Sequence, residues 1–164
     1  SLAMTLALYN HPNLEAILSQ AEAELTNDNK LERFNFLKPA LSQDASIRSQ
    51  FFRSFAEEKN REKERWVSTA CSYIHNPLRQ KEAIQDLALS LELLEEIQAT
   101  GDIFFPRSWL GSTIGQYSSE EAYRIAESFL ESNPDLDKML KSKVLQAIDD
   151  LYRVTQPKNL DKEL

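Results

Sequence analysis

The chain has 164 residues, of which 41% are hydrophobic and 27% are charged, a balance that indicates one folded domain rather than a disordered chain. Its formal net charge of −7 argues against nucleic acid and anionic membranes as partners, because both are bound through clustered lysine and arginine. No apolar run approaches the roughly 20 residues of a membrane span, and the presence of only three glycines favours helices with short connections.

Apolar residues recur every three or four positions along nearly the whole chain, a period that predicts helices. Two helices are predicted up to about Pro39: one begins after the N-cap Asn13, and the next begins at about Asn29. A third follows Asp44, another predicted N-cap. Its expected core residues are Ile47, Phe51 and Phe55. We expect residues 1–12 to form a leader or linker.

Residues 57–65 are mostly charged, and the signs alternate, which is typical of a solvated turn and helix start. A fourth helix begins near Trp66 and ends before Asn76, because a residue that precedes proline is disfavoured in the helical region. Asn76 is predicted to cap a fifth helix, with Pro77 at its first position. The expected core residues of the fifth helix are Leu78, Ile84, Leu87 and Leu91.

A further helix passes through Leu94 and is expected to end at Gly101, a predicted C-cap. A dense apolar corner then leads into a short helix. We expect its aromatic side chains in the core, because aromatic residues at helical spacing are more often buried than exposed. These side chains are Phe104, Phe105 and Trp109.

The next helix is capped by Ser118 or Ser119, and Ser118 has the spacing of a capping box with Glu121. The last predicted helix is the longest. Its inner face is expected to carry Leu136, Leu140, Val144, Ile148 and Leu151. The polar residues 156–164 are expected to form a frayed tail.

Together these segments make about eight or nine helices joined by short turns, and short connections make consecutive helices antiparallel neighbours. We therefore predict an all-α fold: a HEAT- or armadillo-like α-α superhelix of antiparallel pairs, in one domain over residues 1–164. A closed bundle would need fewer and longer helices. Because the helix spacing is irregular, we predict a repeat-like architecture without a strict sequence repeat.

The sequence contains no complete catalytic or metal-binding motif. Its two histidines, His11 and His75, lie far apart at predicted helix boundaries, and neither belongs to a His-Glu-x-x-His motif. The single cysteine, Cys71, lies among apolar helix positions and is expected to be a buried thiol. We therefore expect no enzyme activity, no metal site and no cofactor in this chain alone.

Three segments resemble the C-terminal region of zinc aminopeptidases of the aminopeptidase N type. The first is NPLRQKE at residues 76–82. The strongest is LEEIQATGDIFFP at residues 94–106, which continues through residues 109–110. The third is KVLQAIDDLYR at residues 143–153, which resembles that region's closing helix. Over residues 13–66 the similarity is looser and rests mainly on helix order.

The resemblance implies a longer enzyme in which separate domains carry out catalysis and enclose the peptide. In this family the catalytic zinc is bound by an earlier, separate domain, and the C-terminal domain is an all-helical array that helps enclose the chamber where peptides enter. The chain would be that array, with the catalytic domain of the same polypeptide and peptide substrates as its partners. The family's zinc ligands, catalytic glutamate and amine-binding motif have no counterpart here, so no such role is transferred.

Within that picture, a basic side chain of the array can hold the C-terminal carboxylate of a peptide. Arg79 and Arg107 lie in the matched segments and are the candidates, and ordinary helix-end contacts are the alternative role for both.

A second interpretation of the whole chain is a free-standing helical-repeat scaffold that binds a protein or peptide in its groove. If the chain does dock on a catalytic domain, we expect an exposed apolar patch.

Overall fold

The computed structural model describes the backbone of residues 2–155 and the side chains of residues 2–149, and all regular secondary structure in that part of the chain is helical. The all-α prediction is therefore confirmed. The predicted frayed tail, residues 156–164, lies outside the described residues. In the part of the chain that is described, no helix combines the length and the apolar character needed to cross a bilayer.

The α-helices follow one another with short connections. They are α1 (Leu2–Leu6), α2 (Leu14–Ala23), α3 (Asp28–Leu41), α4 (Ala45–Ser54), α5 (Glu64–Ile74), α6 (Gln80–Ala83), α7 (Leu87–Glu92), α8 (Leu94–Thr100), α9 (Phe105–Ser112), α10 (Glu120–Ser132) and α11 (Lys138–Thr155). Single turns of 3-10 helix lie at Ala7–Tyr9, Glu58–Asn60, Pro77–Arg79, Ile84–Asp86 and Ile114–Gln116. The predicted fifth helix is thus divided into short α and 3-10 pieces.

Several helix ends follow directly from side-chain caps. Asp44 and Asn76 are confirmed as N-caps, since the side-chain oxygen of each accepts the backbone N–H two residues further along the chain. Ser119, rather than Ser118, caps α10 through the N–H three residues further along, so the capping box predicted from Ser118 is wrong. Asn13 precedes α2 but makes no side-chain cap.

The first residues of the chain belong to the folded body. Helix α1 packs against α2, and the Ala7–Tyr9 turn contacts the Pro77–Arg79 turn. Met4 is 7% exposed and Ala7 is fully buried. Met4 and Ala7, within the segment that we predicted to be a leader or linker, therefore belong to the core.

One connected core joins the helices. Helix α3 packs against α4 and α5, α5 against α9, α9 against α8 and α11, and α10 against α7 and α11. At its centre the ring of Trp109 stacks on Phe52, with 5.6 Å between centroids. The indole N–H of Trp109 donates to the carbonyl of Ser90 at 2.7 Å. Because this polar group is satisfied, the fully buried tryptophan stabilises the core.

The predicted inner face of α4 is partly wrong. Phe55 is buried as expected, but Ile47 is 44% exposed and Phe51 is half-buried. Arg48 and Phe52 point inward instead. Burial of Arg48 is tolerated because its guanidinium donates to the backbone carbonyls of Ser42 and Gln43, just after α3, at 2.7 and 2.9 Å.

Phe104 and Leu78 were also predicted to lie in the core and are exposed instead. Phe105 is buried at the start of α9, whereas Phe104 is 73% exposed, because its backbone N–H bonds the side chain of Asp102 and holds it in the turn outside the helix. Leu78 is 60% exposed, and its neighbour Arg79 occupies the interior.

A third buried arginine, Arg61, lies within the stretch 57–65 that we predicted to be solvated. Arg61 is 3% exposed and donates to the carbonyl of Phe55 and to the carboxylate of Glu96. Arg48, Arg61 and Arg79 all donate to carbonyls at or just after helix C-termini, where four carbonyls lack helical partners. In this fold, buried arginine side chains thus repeatedly supply hydrogen bonds to the carbonyls at helix C-termini.

Candidate functional site

The candidate site is a depression between α5 and α9, called here the α5/α9 groove. One part has a volume of about 550 Å³ and is lined by Ser68, Thr69, Ser72, Tyr73, Asn76, Ser108, Gly111 and Ser112. The adjoining part, of about 530 Å³, is lined by Glu64, Arg65, Ser68, Asp102, Phe104, Phe105 and Ser108. Because the two parts share Ser68 and Ser108, they form one continuous groove.

The groove follows from small residues placed on one face of each helix. Ser68 and Ser72 are four positions apart on α5, and Ser108 and Ser112 have the same spacing on α9. The opposite face of α5 carries the core residues Val67, Ala70, Cys71 and Ile74. Helical periodicity therefore buries one face of α5 and leaves a shallow, polar channel along the other.

The hydroxyl oxygens that line the α5/α9 groove can accept hydrogen bonds. Ser72, Thr69 and Ser108 each donate their hydroxyl hydrogen to the backbone carbonyl four residues earlier, at 3.0, 2.8 and 3.2 Å. Each hydroxyl oxygen retains lone pairs. The Ser68 hydroxyl oxygen is buried and makes no hydrogen bond within the described residues. The groove is therefore suited to N–H donors such as those of a peptide backbone.

Charged residues close one end of the groove. Arg65 is exposed there, beside Glu64, whose carboxylate accepts the backbone N–H of Asp102 at 2.7 Å. This bond ties the connection between α8 and α9 to the first turn of α5. Arg65 was not among the sequence-predicted candidates, although it precedes Ser68 by three residues and so lies on the same helix face.

The two predicted site residues lie in different environments. Arg79 is 4% exposed, and its guanidinium donates to the carbonyls of Ala7 at 2.6 Å and Ala40 at 2.8 Å. Burial lowers the pKa of Arg79 to about 10, so the side chain stays charged at neutral pH. Arg107 is exposed on the first turn of α9, one residue before Ser108. Of the two predicted residues, only Arg107 is next in sequence to a residue that lines the groove.

His75 and Cys71 are not placed for surface chemistry. His75 follows α5 as predicted but is fully buried, with its Nδ1 2.7 Å from the hydroxyl of Tyr117. Burial lowers the pKa of His75 to about 3. Cys71 is buried as predicted, and its burial raises the pKa of the thiol. Within the described residues, no three His, Cys, Asp or Glu side chains are grouped to hold a metal ion.

An exposed apolar corner borders the groove. Ile103 is 76% exposed and Phe104 is 73% exposed, both in the connection between α8 and α9. Phe104 also lines the groove. Large apolar side chains held outside the core in this way are available to contact another protein surface.

A scan against protein-family models, a search of curated proteins and a search of solved structures each found no match to this chain.

Proposed function

We propose that the chain is the non-catalytic C-terminal domain of a zinc-dependent aminopeptidase, where it helps enclose the peptide chamber of a catalytic domain outside this sequence. The observation that carries the proposal is the position of the segment with the strongest resemblance, residues 94–106. It forms α8, the exposed corner with Ile103 and Phe104, and the start of α9, and so borders the α5/α9 groove.

The proposed architecture is a HEAT- or armadillo-like array. Helices α3, α5, α9 and α11 contact one another in succession, and α4 contacts α6 while α7 contacts α10, which suits two rows of helices. Side-chain hydrogen bonds between neighbouring segments also recur at similar sequence separations. Arg53–Asp86 spans 33 residues, Arg61–Glu96 spans 35 and Gln80–Gln116 spans 36. Separations of about 34 residues are typical of stacked helix pairs, whereas other side-chain bonds between segments span from 16 to 72 residues.

In this proposal the groove and two exposed arginines, Arg65 at its end and Arg107 next to Ser108, hold the peptide. Hydroxyl oxygens of α5 and α9 accept backbone N–H groups, and an exposed guanidinium binds the C-terminal carboxylate. Arg107 and Arg65 are the residues for that role, since both are exposed. Arg79 donates to backbone carbonyls inside the fold, and we assign it to stability. Zinc would supply its Lewis-acid chemistry in the catalytic domain.

The test uses the intact enzyme with Arg107→Ala and Arg65→Ala. We expect each variant to raise KM about three- to ten-fold for short peptides, since a charged contact to the carboxylate is lost. An aminoacyl anilide, which has no C-terminal carboxylate, should be hydrolysed at the wild-type rate. The control is Arg124→Ala, which removes an exposed arginine paired with Glu120 on α10. Unchanged KM for every peptide would remove both arginines from the proposal.

Two simpler observations bear on the domain itself. An upstream His-Glu-x-x-His motif with a further downstream glutamate in the same reading frame is expected. The chain alone, assayed with added zinc, is expected to release no N-terminal residue from peptides. Hydrolysis by the chain alone would overturn the proposal.

The second candidate function is a free-standing scaffold that binds a peptide in the α5/α9 groove. The continuous groove within a single chain favours it. Gly111→Leu separates the two functions, because no atom lies within 4 Å of a Cβ built there and the larger side chain would fill the groove. A scaffold predicts saturable peptide binding by the chain alone that Gly111→Leu abolishes. The aminopeptidase domain predicts much weaker peptide binding by the chain alone than by the intact enzyme, because the catalytic domain supplies the rest of the chamber.

A further inference from the structure

A second pocket lies away from the α5/α9 groove and has an aromatic floor. Phe36 of α3, Phe51 of α4 and Trp66 of α5 are half-buried and line a pocket of about 460 Å³, called here the aromatic pocket. The ring of Phe36 lies 5.5 Å from that of Phe51 and 5.7 Å from that of Trp66, at interplanar angles of 72° and 57°. Three rings from three helices therefore face a common space at steep angles to one another.

The pocket already holds a cation of the protein itself. The ammonium nitrogen of Lys63 lies 4.5 Å from the centroid of the Trp66 ring and 3.5 Å from a carboxylate oxygen of Glu32. An aromatic face and a carboxylate are the two features that hold a cation outside water. The Lys63 side chain is 51% exposed on a flexible stem, so it can leave this position.

The other charges at the rim favour a positively charged ligand. Glu62 lines the pocket together with Glu32. Lys59 also lines it, but its ammonium group is paired with Glu57 at 2.6 Å, which offsets its charge. The whole chain carries a formal net charge of −7, so the mean electrostatic field attracts cations.

We propose that the aromatic pocket binds an alkylated ammonium group, with a quaternary ammonium as the preferred ligand, and that Lys63 is its internal competitor. A quaternary ammonium has no N–H to donate and loses little hydration, so aromatic faces with a nearby carboxylate hold it better than hydroxyl-lined surfaces do. The pocket volume falls in the range of small-molecule sites. This site does not depend on the proposed aminopeptidase role.

The experiment titrates the full chain with tetramethylammonium chloride and follows the methyl resonance of the ligand by NMR. Sodium chloride keeps the ionic strength constant, and tert-butanol serves as the neutral ligand of similar shape. We expect saturable binding of tetramethylammonium at least about three-fold tighter than that of tert-butanol, because only the cation gains the ring and carboxylate attraction. Equal affinities, or a response that does not saturate, would overturn the proposal.

Two surface variants test the assignment without disturbing the core. Lys63→Gln should tighten tetramethylammonium binding about two- to five-fold by removing the competitor, and Glu32→Gln should weaken it by a similar factor. Lys138→Gln is the control for net charge, since this exposed lysine lies at the start of α11 and does not line the pocket. If Lys63→Gln and Lys138→Gln have the same effect, Lys63 is no competitor and the proposal fails.

Discussion

The guanidinium of Arg79 is enclosed by the ends of α3 and α5 and by the turn after α1, and its hydrogen-bond acceptors are backbone carbonyls. We expect Arg79→Ala to lower the free energy of unfolding by about 2–4 kcal/mol, because buried carbonyls would lose their donors. Arg79→Lys should cost less, since one ammonium reaches some of the same acceptors. Urea unfolding measures both.

Arg107→Ala is the matched control for Arg79→Ala, because Arg107 is exposed and its removal should change stability by no more than about 0.5 kcal/mol. Equal effects of the two substitutions would contradict the structural role assigned to Arg79.

His75 makes the stability of the chain depend on pH. In the unfolded chain its pKa returns to about 6.5, whereas burial lowers the pKa of His75 in the folded chain to about 3. Between these values the unfolded state binds a proton that the folded state does not. The free energy of unfolding should therefore fall as pH is lowered from 6.5, with a slope approaching about 1.4 kcal/mol per pH unit.

Urea titrations between pH 7 and pH 5 check this prediction, since most carboxylates stay ionised there. We expect His75→Gln to lower the stability at pH 7, because Tyr117 loses its partner, and to reduce the pH slope. His11→Gln is the control, as it removes the other histidine and leaves the buried one. A slope that persists in His75→Gln would assign the effect to other groups.

At the scale of the elements, the junction of α8 and α9 depends on space at Gly101. A Cβ there would lie 2.7 Å from a ring carbon of Phe105 and 2.8 Å from the carbonyl oxygen of Ile97. The backbone is extended, with φ −97°, so the constraint is steric rather than conformational. We expect Gly101→Ala to destabilise the chain by about 1–3 kcal/mol in thermal or urea unfolding.

Gly111 in α9, unlike Gly101, has open space for a side chain. No atom lies within 4 Å of a Cβ built at Gly111. Gly111 is the next-to-last residue of α9, so Gly111→Ala should be more stable than wild type by up to about 0.5 kcal/mol, less than in a helix interior. A destabilised Gly111→Ala would contradict the open space that the structure places there.

The boundaries near Asp44 and Asn76 could be predicted because their causes are local. Asp44 and Asn76 cap through neighbouring N–H groups, and Pro77 excludes a continuous helix before it. The buried face of α4 could not be predicted in the same way. Ile47 and Phe51 fit helical spacing as well as Arg48 and Phe52 do, and the choice depends on carbonyls in the connection after α3 that accept the Arg48 guanidinium.

The candidate site was predictable only in part. Arg107 was identified through a resemblance, and its exposure agrees with a binding role. The α5/α9 groove was not predicted, because serine spacing on one helix becomes a groove only when the second helix is known to pack beside it. Whether these residues bind a peptide stays a prediction.

At the scale of the molecule, the core is continuous from Met4 to Ile148. Such a core favours a single cooperative transition over stepwise loss of separate helix pairs. We expect urea unfolding followed by far-UV circular dichroism and by Trp109 fluorescence to give the same midpoint. A Trp66→Phe background isolates the Trp109 signal, since the chain has two tryptophans. Two separate midpoints would indicate independently unfolding repeats.

The position of Cys71 turns its thiol into a reporter for separation of the two helices that border the groove. It is fully buried on α5 next to Ser112 of α9, and burial raises the pKa of the thiol, so it can react only after these helices part. Under native conditions, where closing is fast relative to alkylation, alkylation should proceed at a rate proportional to the equilibrium population of the open form. A ligand in the groove should slow it, which allows occupancy to be read by mass spectrometry without a label.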